Sequence, residues 1–484
     1  MIFRTAAICF IASQLFYSCS GPDNEYYELA TDYADFMIEQ GLDTYGEIQA
    51  PVFLSMLDRT TNSIINNPEE SVYFDRATTG IRVSDRSLNG ANPFNDEGLY
   101  NLLYMLSEET KDPKYEQAAD QSLSWLIRNT QHPETKLIGW GEHLGYRCDL
   151  DQIVRHPDSN WGDLKHEIHG YWTLWPKVFE LEPSAAIDYA YGFWNYHVYD
   201  QEAGIHAHQT RYDTFEPDSG YVFPRMAGHM IYLWSLAYKT TDDQKVKTDM
   251  IGFIDKIVTT HNQRRNAVTK VLPFLHPKEG VVYKPYGNIE SAYEIHRALS
   301  LNLPDSIQNK LRQFTSYTDG CFIQVHQKVE LGRVALADTL LNIIKVDSAN
   351  LWCNSYGKAS SLARGGLELM KRYLQNGNDL FKDLGLGIAD LYLGSRPVCV
   401  DYYLRPTALS AAIDLQIHAY ELTENKQYLD QALAFGAMAK DMFMDESSPL
   451  PKVFAEKFDH YEAISGGADL MLSFYNLAKL DRKY

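Results

Sequence analysis

The periodicity of residues 95–484 predicts an all-α chain closed into a ring, and three observations carry that reading. A pattern of helix, polar break and second helix recurs six times, with junctions near 111, 183, 241, 303, 376 and 424. The intervals, about 50–75 residues, suit an αα-hairpin followed by a variable loop. Each hairpin can bury its apolar stripe only against neighbours, so six of them are best satisfied by closing on one another. The expected architecture is one domain, an (α/α)6 toroid or six-hairpin barrel, with long loops over one mouth. An open solenoid of helical repeats is the rival.

Taken in order, residues 1–18 read as a lipoprotein signal peptide. MIFRTAAICFIASQLFYSCS has one early cation, Arg4, an apolar run too short to span a bilayer, and small residues ending at Cys19. Cleavage before Cys19 and acylation of its thiol would leave residues 19–28 as a tether and 29–484 as the ring. Ordinary secretion with Cys19 unmodified is the alternative. Residues 44–95 lack clear periodicity but carry Asp58, Arg59, Arg82, Asp85 and Arg86, and are expected to lie across one mouth. In LSEETKDPKYEQAADQSLSWL (106–126) one helix ends near Glu109 and a turn runs through Pro113. Tyr115, Ala118, Ala119, Leu123 and Leu126 then share a face of the next helix. The same design recurs at 236–254 and 419–439, with weaker versions at 179–194, 299–314 and 374–379.

Composition narrows function. The formal charge is −20, so no basic field is available to grip a nucleic-acid backbone. Aromatic residues are 13% of the chain, and flat rings with a polar edge suit sugar rings as well as helical cores. Cys148, Cys321, Cys353 and Cys399 show no metal-type spacing, and the sequence cannot pair them. There is no GxSxG elbow, P-loop or dinucleotide-binding glycine motif.

The chemical candidates lie in loops and at helix starts. Residues 139–147 present Trp140, Glu142, His143, Tyr146 and Arg147 among three glycines. That is the mixture of carboxyl, aromatic platform and donors that sugar hydrolysis needs, although a capped turn would also explain it. In DLKHEIHGYW, Asp163 is expected to cap a helix whose first turns carry His166, Glu167 and His169. The HxxH spacing lacks a third ligand, so no metal is assigned. His206, His208, Arg211, Arg225 and His229 form a basic group suited to a carboxylate-bearing substrate. Tyr283, Lys284 and Tyr286, and later Asp401, Arg405, His460 and Glu462, precede further helices and could close the same mouth; helix capping explains them equally well.

Four segments, YGEIQAPVFLSMLD (45–58), GWGEHLGY (139–146), HEIHGYW (166–172) and HYEAISGGADLML (460–472), together resemble glycoside hydrolase family 154, among the toroidal carbohydrate-active proteins often labelled pectate lyases. The resemblance covers nearly the whole mature chain and implies an exo-acting β-glucuronidase that needs no cofactor. Chemistry then assigns Glu142 and Glu167 as the carboxylate pair. Trp140, His143, Tyr146, Arg147, His166, His169, His208, Arg211, His229 and Tyr286 would hold the substrate. The expected partners are a uronic acid-containing oligosaccharide or polysaccharide and a membrane reached through the lipid on Cys19. The expected location is the periplasm or the surface of a diderm bacterium. Three other readings stay open: β-elimination with Tyr146, His166, His208 and Arg211, hydrolysis of unsaturated uronides, and glycan binding without catalysis.

Overall fold

The computed structural model describes residues 24–65, 79–82, 85–154, 164–167, 171–217, 224–264, 285–338, 341–348, 351–353 and 361–481. Cys19 and His169 lie outside them. The first helix, α1 (Glu25–Glu39), is capped by Asn24, whose side chain accepts from the backbone of Tyr26 and Tyr27. The six predicted hairpins follow: α2 (Glu97–Thr110) with α3 (Pro113–Asn129), α4 (Trp175–Leu181) with α5 (Pro183–Gly192), and α6 (Pro224–Thr240) with α7 (Gln244–Arg264). The second half adds α8 (Pro285–Leu299) with α9 (Asp305–His326), α10 (Leu362–Asn376) with α11 (Asp379–Tyr392), and α12 (Pro406–Thr423) with α13 (Lys426–Phe443). The chain ends its described part with α14 (Gly467–Asp481).

The turns within hairpins share one grammar. At three of them a residue in the left-handed region ends the inner helix and the next residue caps the outer one: Lys111 (φ 59°) then Asp112, Gly377 (φ 69°) then Asn378, Glu424 (φ 55°) then Asn425. The left-handed residue turns the chain, and the Asp or Asn side chain satisfies an amide left open at the new helix start.

The even-numbered helices form the inner wall and the odd-numbered ones the outer wall. Neighbouring inner helices pack from α4 through α6, α8, α10 and α12 to α14, and α14 returns to α2. Thr173, just before α4, closes the remaining step by donating from its hydroxyl to Glu97 (2.7 Å) and accepting from Asn101 (2.9 Å) of α2. The architecture is an all-α toroid. Its closure adds one pair to the six hairpins: α14 lies on the inner wall and is backed by α1 from the other end of the chain. Tyr33 and Tyr461 share a 2.8 Å hydrogen bond at this seam, and Tyr26 packs on Phe474. Close approach of inner helices depends on small residues. A Cβ on Gly98 of α2 would meet the Ala468 backbone at 2.7 Å, and one on Gly228 of α6 would meet Ser291 of α8 at 2.7 Å.

Inner helices therefore all start at the same end of the ring. Every strand among the described residues falls in an outer-to-inner connection or just before an inner helix, so the sheets gather at that mouth. The strands are β1 (Met56–Asp58), β2 (Gly90–Ala91), β3 (Gly145–Arg147), β4 (Gln152–Val154), β5 (Lys165–Glu167), β6 (Val198–Asp200), β7 (Ile205–His206), β8 (Gln209–Arg211), β9 (Arg333–Ala337), β10 (Ile343–Ser348) and β11 (His460–Glu462). They pair antiparallel as β1 with β11, β2 with β3 with β4, β5 with β8, β6 with β7 and β9 with β10. Residues 44–65 and 85–95 thus meet the segment before α14 and the loop after α3, across the mouth as expected. A disulfide joins Cys353 to Cys399, while Cys148 and Cys321 are buried.

Candidate functional site

The helix expected to begin after Asp163 is instead strand β5, and this changes what its residues face. Successive side chains of a strand point to opposite sides. Glu167 stands opposite Gln209 of β8 on one side, while His166 stands opposite Thr210 and turns to the other. A helix would have put His166 and Glu167 in one neighbourhood; the strand separates them.

Glu167 is the centre of the site. Its Oε2 accepts from Gln209 Nε2 (2.8 Å) and His143 Nε2 (3.1 Å), and its Oε1 lies 2.7 Å from His208 Nε2. The side chain is 2% exposed. Burial alone would push this carboxyl up, but the hydrogen bonds from His143 and His208 outweigh it and hold the group well below the usual carboxylate range. His143 Nδ1 in turn donates to Asp85 Oδ1 (3.0 Å). Burial opposes charge on this imidazole, yet Asp85 and Glu167 on its two nitrogens push its pKa up to about 9. It is an imidazolium at neutral pH, clamped between two carboxylates.

The relay continues outward. Asp85 Oδ2 accepts from Arg82 Nε (2.6 Å), and Arg82 Nη2 donates to Glu142 Oε1. Glu142 is therefore joined to Glu167 through Arg82, Asp85 and His143. Arg82, His208 and Glu142 keep 21%, 18% and 17% side-chain exposure, so they are the members an incoming molecule meets first. Beside them runs a cleft of about 20 Å³, room for roughly one water, lined by Asp85, Arg86, Asn92, Glu142 and His143. Arg86 also points to a second buried ion cluster. Its Nε lies 3.4 Å from Glu462 Oε1, and His460 Nε2 lies 3.5 Å from Glu462 Oε2. Burial lowers the Arg405 guanidinium to about 10, with Glu462 opposing that shift.

The other sequence candidates fall elsewhere. Trp140 is buried in a cluster with Trp172 (5.0 Å between centroids) and Trp175 (6.0 Å), so it is core and presents no open platform. Tyr146 is buried, and its hydroxyl donates to Asp151 (3.1 Å). Arg147 is held bidentately by Asp149 and Arg211 bidentately by Asp213, all at 2.7–2.9 Å. His166 Nδ1 is 2.7 Å from His197 Nε2, and Tyr189 meets its other nitrogen at 3.3 Å. Burial and the His197 neighbour push His166 well down; burial holds His197 and His229 to about 3. These imidazoles are neutral packing groups. Tyr286 packs on Phe322 (5.6 Å) and His326 (5.4 Å), among the second-half helices.

Asp85, Arg82 and Gln209 complete the site without having been singled out as site residues. Arg82 and Asp85 stood out only as paired charges in an aperiodic stretch. Gln209 gives no signal until β5 and β8 are paired. Among the described residues one donor set brings ligand-type atoms together: Asp85, Glu142 and His143 lie within 4.8 Å of one another, although Arg82 already bridges the two carboxylates.

The sequence profile of the family described as periplasmic pectate lyase matches residues 81–219, a segment that contains every residue of this relay. Among solved structures, an unsaturated glucuronyl hydrolase from Bacillus sp. GL1, responsible for the degradation of glycosaminoglycan, is similar at 10% identity. That match covers 93% of this chain and 96% of that one, with a TM-score of 0.44. A cellobiose 2-epimerase from Spirochaeta thermophila is similar at 12% identity over 94% of this chain and 96% of that one, with a TM-score of 0.41. A D-mannose isomerase is similar at 10% identity over 96% and 100%, with a TM-score of 0.42.

Proposed function

We propose that this protein is an enzyme that breaks glycosidic bonds in a uronate-bearing glycan, and that it does so as an exo-acting hydrolase releasing a terminal β-linked glucuronic acid. The observation that carries this reading is the buried Glu167 carboxylate held by three side-chain donors and linked through His143, Asp85 and Arg82 to the accessible Glu142. Glu167, ionised and fixed in place, serves as the base or nucleophile. Glu142 serves as the acid. In the free protein its partner is Arg82; a uronate carboxylate arriving at the mouth competes for that guanidinium and frees Glu142 to carry a proton. The water-sized cleft beside Glu142 and His143 supplies space for the attacking or resolving water. His208, the exposed partner of Glu167, contacts the ring hydroxyls.

A second reading, β-elimination, is favoured by the periplasmic pectate lyase match over residues 81–219 and by the convergence of two imidazoles on Glu167. The deciding experiment compares wild type with Glu142→Gln and Glu167→Gln on an aryl β-glucuronide and on uronate oligosaccharides, with and without chelator. Products that gain one water, lost in both variants and indifferent to chelator, support the hydrolase. An unsaturated product absorbing in the ultraviolet replaces it with the lyase. We further propose that the protein works outside the cytoplasm, in the periplasm or at the cell surface on a lipid carried by Cys19; the signal-like residues 1–18 support this, and the Cys353–Cys399 disulfide suits an oxidising compartment. Substituting Cys19 with Ala should release it from the membrane fraction.

A further inference from the structure

Below the strands of the mouth, the inner helices enclose a cavity of about 200 Å³ that the relay does not use. Its wall comes from the first turns of α2, α8, α10, α12 and α14. Glu290, Arg364, Glu368, Lys371 and Asp414 face it, with Glu97 and Asp469 at the helix starts and Tyr171 and Tyr293 on one side. Arg364 and Glu368 sit inside the ring, yet their side chains keep 35% and 25% exposure; the surface they expose is the cavity's own.

We propose that this cavity is a binding subsite for one uncharged sugar ring, held through its hydroxyls by Glu290, Arg364, Glu368 and Asp414 and across its apolar face by Tyr171 and Tyr293. Three features argue for that ligand class. The wall carries five carboxyl groups against two cations, which opposes a second anion. The cations are nonetheless part of the wall, with Arg364 Nε 3.8 Å from Glu368 Oε1 and Lys371 Nζ 5.7 Å from the Tyr171 ring, which opposes a bound metal or ammonium. Acceptors, donors and aromatic surface are interleaved, as a ring of hydroxyls on a hydrocarbon frame requires: the Tyr171 and Tyr293 rings meet edge to face at 5.3 Å, and Asp414 Oδ1 is buried with no hydrogen-bond partner among the described residues. Burial and the neighbouring Glu290 push Glu368 up to about 8, so at neutral pH it can both donate to and accept from a hydroxyl.

Chain geometry ties this subsite to the mouth. Tyr171 is four residues beyond Glu167, and four residues span at most about 14 Å, so the two sites lie within reach of one short oligosaccharide. Tyr171 is fixed from the cavity side, its backbone N–H donating to Glu290 Oε1 (3.3 Å). Resting on the glucuronidase reading, the cavity would take the neutral sugar to which the terminal uronate is joined.

The test is saturation-transfer NMR and calorimetric titration of the whole protein with the methyl β-glycosides of glucose, galactose, mannose and xylose, alongside glucuronic acid and glucosamine. Saturable binding of at least one uncharged glycoside is expected, unchanged in Glu167→Gln and weakened about tenfold or more in Glu368→Leu and Asp414→Asn, each checked for a native circular dichroism spectrum. No saturable binding of any uncharged glycoside, tighter binding of glucuronic acid or glucosamine, or equal affinity in folded Glu368→Leu would each overturn the proposal. Loss of glucuronide turnover in the same preparations with glycoside binding intact would instead count against the mouth reading alone.

Discussion

Glu167 and Glu368 are both enclosed glutamates, set in opposite halves of the chain, and they ionise in opposite directions. Glu167 is held far below the carboxylate range because two imidazoles and an amide point their N–H groups at it. Glu368 is pushed to about 8 because burial and Glu290 act together, and its one nearby guanidinium stands off at 3.8 Å. Burial is common to both, so the partners within hydrogen-bond reach decide the charge. The mouth holds a fixed negative charge; the cavity holds a carboxyl group that keeps its proton.

The sharpest break of that contrast is Glu167→Gln, which should lower turnover by ~10²-fold or more, measured as product release at pH 7. It also leaves His143 with one carboxylate partner, so the unfolding free energy from urea titration should fall by an amount on the order of 1–3 kcal/mol. Glu368→Gln should move stability the other way. A carboxyl whose pKa is higher folded than unfolded costs stability as pH rises from about 4.5 to about 8, because the unfolded chain releases its proton first. Unfolding free energies from urea titrations at pH 5 and 8.5 should therefore show the variant gaining on wild type at the higher pH, by an amount on the order of 2 kcal/mol. A variant that loses ground at pH 8.5 would erase the distinction between the two sites.

His143→Gln sharpens the mouth side. The pKa of His143 is raised from 6.5 to about 9 on folding, so its contribution is complete below pH 6.5 and vanishes as pH rises through 9. The stability gap between wild type and variant should be on the order of 1–2 kcal/mol at pH 6 and close by pH 9.5. The smallest effect is expected at Arg211. Asp213 already occupies its guanidinium bidentately, so Arg211→Ala should change the preference for uronate over neutral sugar by less than about threefold, whereas Arg82→Ala should change it by about tenfold or more.

What the sequence disclosed follows the range of the interactions involved. The six hairpin junctions were legible because each turn is written locally, as at Lys111-Asp112-Pro113 or Gly377-Asn378, where the residues that stop one helix start the next. Glu142, Glu167, His143 and His208 were legible as chemistry in glycine- and histidine-rich loops. Their arrangement was not. Strand β5 has three residues, too few to show a period of two, and its partner Gln209 is 42 residues away. Read as a helix, the segment gave His166 a place beside Glu167 that the alternating strand denies it. The pairing of α1 with α14 was hidden for the same reason: Asn24 reaches the Ala478 carbonyl across 454 residues.

That last pairing makes the ring a clasp. A chain emerging N-terminus first can cover α1 only in part, with α2 and α3; its main partner, α14, is the last described helix to emerge. The circle stays unlocked until nearly the whole chain has been made. Fastening comes last, where the two ends of the described chain meet.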